Sequence, residues 1–356
     1  MSNWKIFNGN PKQPHDGIDR LPPPPSWRPF GQETQPGESR RKRRGETFQV
    51  REQEIEMINA ALYLRRPLLI TGKPGTGKSS LAYAVAKELQ LGEVLYWPIT
   101  TRTTLKDGLY SYDAIGRLQE AKQQEVQNQG SGQAGLQQQL QQIERYITLG
   151  PLGTALLKSK RPRVLLIDEI DKSDIDLPNN LLTILEEGFF EIPELVRIKE
   201  EVSTVTVRTA YTDETDDITQ SSLSAEVENG RITCTAFPFV VMTSNGERDF
   251  PAPFLRRCLR LTMKPPNRDE LKKIVAAHFD QLSPEQIEQL TAKSADSTDL
   301  ISKFLESRDD GTLATDQLLN ALFMVVQGRI SSKDKLIGQL LKDLGRTDDE
   351  VDDDED

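Results

Sequence analysis

The sequence predicts an α/β fold: a parallel five-stranded sheet covered by helices on both faces, followed by a small α-helical unit. Three observations carry this. Short apolar runs of strand length occur at 67–71, 94–98, 164–167, 239–243 and 259–263. Strands that read as continuous apolar runs belong to sheets buried on both faces. Helically spaced stretches, such as Ser79 to Leu89 and Leu177 to Glu187, separate several of them, the alternation that builds parallel sheets. After Pro265-Pro266 the pattern becomes helical almost to the end, which sets a boundary near Lys264.

Residues 1–45 are rich in proline and glycine, with Pro22 to Pro25 in a row and no sustained period. They read as an irregular arm, in which Trp4, Phe7, Trp27 and Phe30 are the candidates for pinning it to the body. From Glu52 the spacing of Ile55, Met57, Ile58, Ala61 and Leu62 predicts a helix over 53–63 and opens the α/β unit, 46–264. Two insertions interrupt it. Residues 117–146 are glutamine-rich around Gly130-Ser131-Gly132 and read as two polar helical pieces joined by a hinge. Residues 195–235 alternate polar and β-branched side chains (Val202, Val205, Val207) and read as a hairpin-like element. The helical unit, 265–345, has helices expected at 269–279, 284–293, 298–306, 315–327 and 333–344. Residues 346–356 form an acidic tail expected to be disordered.

Composition narrows the chemistry. The chain has 356 residues, 36% hydrophobic and 28% charged, with a net charge of -10. No run of about 18 apolar residues exists, the length a membrane helix needs, and Met1 to Asn10 lacks a secretory apolar core. The expectation is a cytoplasmic protein with no membrane partner. Cys234 and Cys258 are too few for a disulfide framework, and His15 and His278 too few for a histidine metal site or triad. Chemistry therefore falls to carboxylates, backbone dipoles, lysine, arginine and a metal that arrives with the substrate. The basic run Arg40 to Arg44 could meet nucleic acid or lipid headgroups, or be a solvated linker. The acidic balance counts against nucleic acid as partner.

Gly72-Lys73-Pro74-Gly75-Thr76-Gly77-Lys78-Ser79 fits the P-loop pattern without mismatch, directly after an apolar strand and at the start of a helix. Glycines let successive backbone N–H groups turn inward around phosphate, and the helix N-terminus adds partial positive charge. Lys78 is expected to reach the β- and γ-phosphates of ATP, and the Ser79 hydroxyl to coordinate Mg2+. The strand at 164–167 ends in Asp168-Glu169-Ile170-Asp171, which places carboxylates where parallel sheets bind ligands. Asp168 is the expected second metal ligand. Glu169 is the expected general base that polarises the attacking water.

These motifs resemble the AAA+ ATPases, and the likeness extends over residues 48–344. Val240 to Asn245 looks like their sensor 1 strand, which implies that Asn245 orients the lytic water or touches the γ-phosphate. Pro253 to Arg257 resembles their arginine-finger segment, which implies that Arg256 or Arg257 reaches the γ-phosphate bound in a neighbouring subunit. Residues 68–82, 165–171, the helix 178–187, Leu185-Glu186-Glu187-Gly188 with 189–192, and the insertion 195–235 are most similar to the MoxR branch. That resemblance implies a homo-oligomeric ring, usually a hexamer. It also implies an ATP-hydrolysing chaperone or remodelling motor for a protein client, often one with a von Willebrand factor A domain. Two alternatives stand beside it: an AAA+ ATPase acting on nucleic acid, of restriction or helicase-loading type, and a slow nucleotide-gated switch or scaffold. One departure concerns the lid. The helix starting at Ala314-Thr315-Asp316-Gln317 has no basic residue in its first turn for sensor 2, and Arg308 is the nearest substitute.

Overall fold

The computed structural model describes residues 6, 16–25, 45, 47–127, 142–211, 223–279, 300–309, 313–329 and 335–341. The expectations for Trp4, Phe7, Trp27, Phe30, the basic run 40–44, the Gly130 hinge, a helix at 284–293 and the acidic tail lie outside these residues. The strands, in chain order, are β1 (Leu68–Thr71), β2 (Leu95–Pro98), β3 (Tyr110–Tyr112), β4 (Ile147–Leu149), β5 (Val164–Asp168), β6 (Phe189–Glu191), β7 (Thr204–Arg208), β8 (Ser224–Glu228), β9 (Arg231–Thr233), β10 (Phe239–Ser244) and β11 (Leu259–Thr262).

Five of these strands form one sheet in the order β11-β1-β10-β5-β2, with every pairing parallel. The five apolar runs of the sequence are these five strands. The inner strands β1, β10 and β5 are buried on both faces and carry no alternation, whereas the edge strands β2 and β11 alternate between buried and more exposed positions. Leu68, Ile70, Val164, Leu166, Phe239 and Val241 point to one face. There the helices Glu52–Leu64 and Lys78–Glu88 cover them, through Ile58, Ala61, Leu81 and Val85. Leu69, Leu165, Ile167, Val240 and Met242 point to the other face, against Leu177, Leu181 and Leu185 of the helix Leu177–Glu187. Because all five strands run the same way, their carboxyl ends lie on one edge. Thr71, Asp168 and Ser244 end there together.

The expected hairpin of residues 195–235 is the antiparallel pair β7–β8, followed by a tight turn at Asn229-Gly230 into β9. It is part of something larger that the sequence did not predict, a second sheet in the order β3-β4-β7-β8-β9-β6. The strands missed were β3, β4 and β6, each only three residues long. A segment that short has no measurable period, and its partners are distant in sequence. The glutamine-rich insertion starts from a helix, Ala114–Gln127, and returns through a 3-10 turn, Gln142–Tyr146. The antiparallel β3–β4 ladder pairs Tyr112 with Ile147 and so ties its two feet together.

Among the described residues, the helical unit comprises Arg268–His278, Leu300–Asp309, Thr315–Val326 and Lys335–Leu340. They close around Leu271, Val275, Phe304, Leu318 and Leu322. Arg51, at the start of the first core helix, makes a two-pronged ion pair with Glu270 at 2.7 and 2.8 Å. It also donates to the main-chain carbonyl of Lys264 at 2.8 Å. Arg51 therefore joins the first core helix, the end of the sheet and the first lid helix. The guanidinium holds the Glu270 carboxyl below its ordinary value, through the hydrogen bond first and then the charge. A depressed carboxylate stabilises the fold fully above its unfolded pKa, and that contribution disappears as pH falls through the folded value. We therefore expect the melting temperature of the wild type to exceed that of Glu270→Gln at pH 7. The two should converge as pH drops below 4.5, the ordinary carboxyl value. Thermal melts of both proteins from about pH 7 to about pH 3 check this.

Candidate nucleotide-binding site

β1 runs straight into the glycine loop. Gly75 and Gly77 hold φ of 75° and 89°, backbone that side chains rarely adopt. A Cβ on Gly75 would lie 2.8 Å from Ala314 Cα, and one on Gly77 would lie 2.5 Å from the Phe48 ring. Lys73, Pro74 and Gly75 are exposed at the crest, while Thr76 is buried and its hydroxyl donates to the Lys73 carbonyl at 2.9 Å. Gly77 caps the helix Lys78–Glu88 with no side-chain hydrogen bond. The N–H groups of its first turn are thus left for an anion.

Lys78 is 8% exposed and folds back over the loop. Its ammonium donates to the Gly72 carbonyl at 2.7 Å, the Lys73 carbonyl at 3.0 Å and Asn245 Oδ1 at 2.8 Å. These use all three of its N–H donors. Burial lowers its pKa, while the charges of Asp168, Asp171 and Glu169 oppose that shift.

Asp168, the last residue of β5, collects three hydroxyls from three elements. Ser79 Oγ and Thr243 Oγ1 each donate to its Oδ1 at 2.6 Å, and the Tyr96 hydroxyl reaches Oδ2 at 3.3 Å. Among the described residues, no cluster of three or more His, Cys, Asp or Glu could cage a metal. The Ser79–Asp168 pair fits a different case: one hydroxyl and one carboxylate, all oxygen, suited to Mg2+ that arrives with phosphate and keeps its waters.

Glu169 follows in the left-handed region, at φ 61° and ψ 48°. For a residue with a Cβ this costs about 1–2 kcal/mol. The bend turns its carboxylate away from the strand line into the open edge. There Lys172 Nζ donates to Oε2 at 2.8 Å and Asn245 Nδ2 approaches Oε1 at 3.4 Å. Asn245 thus bridges Lys78 and Glu169. Asp171 sets its position: this carboxylate, 5% exposed, accepts the backbone N–H of Asn245 at 3.0 Å and of Glu247 at 3.2 Å.

The structure separates the two candidate arginines. Arg257 is held within its own chain by Glu186 at 2.7 Å. Arg256 is exposed and has no side-chain partner among the described residues. Arg308, the substitute considered for sensor 2, donates to the Pro266 carbonyl at 2.7 Å, so its guanidinium braces the core–lid junction.

The sequence reading missed the rest of the site. A cavity of about 170 Å³ opens beside Gly75 to Gly77, with Phe48, Gln49, Met263, Ile274, His278 and Leu319 in its wall. These residues come from three separated regions, and each is ordinary in its local sequence. Thr315 Oγ1 donates to the Gly75 carbonyl at 3.0 Å, so the lid touches the loop through a hydroxyl. Asp171 and Thr243 were within sequence stretches already singled out, but only the fold reveals their partners.

Residues 67–215 match the family model described as AAA domain (dynein-related subfamily). The core has the AAA+ fold. Among solved structures, the chain is similar to NtrX from Brucella abortus in complex with ATP, at 14% identity and a TM-score of 0.41. That alignment covers 85% of this chain and 55% of NtrX. It is also similar to a RuvB variant from Thermotoga maritima, at 15% identity and a TM-score of 0.35, over 82% of this chain and 66% of that one. The chain thus spans less than two thirds of each neighbour's length. No curated protein matches the sequence. Among the described residues, no helix is long and apolar enough to cross a membrane.

Proposed function

We propose that the chain is a Mg2+-dependent ATPase that works as a homo-oligomeric ring and remodels a protein client. The observation that carries the ATPase reading is the meeting of Lys78, Ser79, Asp168, Glu169 and Asn245 on one sheet edge, linked by hydrogen bonds of 2.6–3.4 Å. In this reading MgATP lies with its phosphates over the Gly72–Ser79 loop and its base in the cavity beside Phe48. Lys78 exchanges its carbonyl partners for phosphate oxygens. Asn245 and Glu169 hold a water in line with the γ-phosphorus. The water oxygen bonds to phosphorus as the bond to the β,γ-bridging oxygen breaks, and Glu169 takes the proton.

The exposed Arg256 supports a site shared between subunits, since no side chain among the described residues engages it. We expect Arg256→Ala to lower kcat by about 10³, the lower end of arginine-finger effects. Arg257→Ala, which loses a half-exposed ion pair, should stay within a few-fold of wild type. Mixing Lys78→Ala with Arg256→Ala protein should restore part of the activity. Equal losses in the two arginine variants, or no recovery on mixing, would count against the shared site.

The protein client, and within it a von Willebrand factor A domain protein, rests on the resemblance to the MoxR branch. Co-purification from cells that express the tagged chain tests it. A nuclease or helicase in place of such a client would favour the nucleic-acid alternative. The slow-switch reading draws on the Lys172–Glu169 pair, which occupies the base, and on the lid's hydroxyl contact with the loop. Steady-state ATPase rates with and without captured partners separate it from a motor.

A further inference from the structure

We infer that Thr243 is a positioning residue that couples the metal-side carboxylate to the general base. The inference rests on the ATPase reading above. Thr243 is 1% exposed, on the face of β10 that also carries Phe239 and Val241. It lies one position beyond the pairing of Met242 with Ile167, and so beside Asp168 at the end of the neighbouring strand.

Its single hydroxyl serves both halves of the site at once. It donates its proton to Asp168 Oδ1 at 2.6 Å and accepts the backbone N–H of Glu169 at 2.9 Å. The first bond fixes the carboxylate rotamer that faces Ser79. The second holds the main chain at the residue whose φ is 61°. Left-handed backbone at a residue with a Cβ persists only where its surroundings hold it. Here the Glu169 carbonyl is also held, accepting the Lys172 N–H at 2.9 Å. Without the Thr243 hydroxyl, a half-buried N–H loses its acceptor and the bend that aims Glu169 loses one of its two anchors. A hydroxyl that both donates and accepts is needed. Serine satisfies this, whereas valine has the same shape and neither function.

The test compares Thr243→Val and Thr243→Ser with wild type in two measurements. One is steady-state ATP hydrolysis; the other is the Mg2+ dependence of binding of a fluorescent ATP analogue, which needs no turnover. For Thr243→Val we expect kcat to fall about 10- to 100-fold, with KM within about threefold. The Mg2+ concentration for half-maximal binding should rise at least about threefold. Thr243→Ser should recover most of both, and thermal melts should show both variants folded. If Thr243→Val does not fold, Thr243→Ala carries the same expectations. Wild-type values in the valine variant would overturn the inference, as would a serine variant impaired as severely as valine. If the wild type hydrolyses no ATP, the ATPase reading fails. The Mg2+ titration then decides alone: a rise restored by serine upholds the coupling at Asp168, and no change overturns it.

Discussion

Glu169→Gln is expected to lower kcat for ATP hydrolysis at least about 100-fold while the Kd for ATP stays within about threefold. Positioned general bases contribute about 10²–10⁴ in rate. Glutamine keeps the length of the side chain but cannot take a proton from water. Binding is expected to survive because, in the proposed pose, the contacts that hold phosphate belong to other residues, namely Lys78, Ser79 and the loop backbone. Among the described residues, the Glu169 carboxylate meets Lys172 and Asn245 rather than the loop. Rapid-quench hydrolysis with equilibrium binding of ATP measures both quantities. Wild-type turnover in this variant would remove Glu169 from the role of base.

Lys78→Ala is expected to weaken ATP binding by about 10²–10⁴. Each hydrogen bond to a charged group contributes about 1.5–3 kcal/mol, and the ammonium has two phosphates within its reach in the proposed pose. Each 1.4 kcal/mol is about tenfold in affinity. A second effect adds to this. Lys78 joins the Gly72 and Lys73 carbonyls to Asn245, so its removal also frees the amide that faces Glu169. Residual turnover at saturating ATP should therefore be lower than wild type. Isothermal titration checks the affinity; an unchanged Kd would place the phosphates somewhere other than this loop.

The central sheet was legible because its signals are local. The inner strands are continuous apolar runs, and the loop 72–79 announces itself within eight residues. The second sheet was not legible, because β3, β4 and β6 are three-residue pieces whose partners are far along the chain. The site divides in the same way. Lys78, Ser79, Asp168, Glu169 and Asn245 stand in recognisable strings at strand ends. Asp171 stood in plain view in the string after β5, yet the N–H groups it holds belong to Asn245 and Glu247. Thr243 looked like one more strand residue, since only the parallel pairing of β10 with β5 puts its hydroxyl against Asp168. Arg256 and Arg257 are adjacent in sequence, and it took Glu186, on a distant helix, to tell them apart.

The β3–β4 ladder has a bearing on how this chain can vary. The distance between the two ends of the glutamine-rich segment is set by backbone hydrogen bonds within the sheet, from Tyr110 with Leu149 to Tyr112 with Ile147. Lengthening a closed loop costs only about 0.6 kcal/mol per doubling. A change in length between the two feet is therefore expected to cost the fold little, while Ile143, buried in the core, and the bond of Tyr146 to Glu120 keep the feet themselves in place beside the edge that carries Lys78 and Asp168.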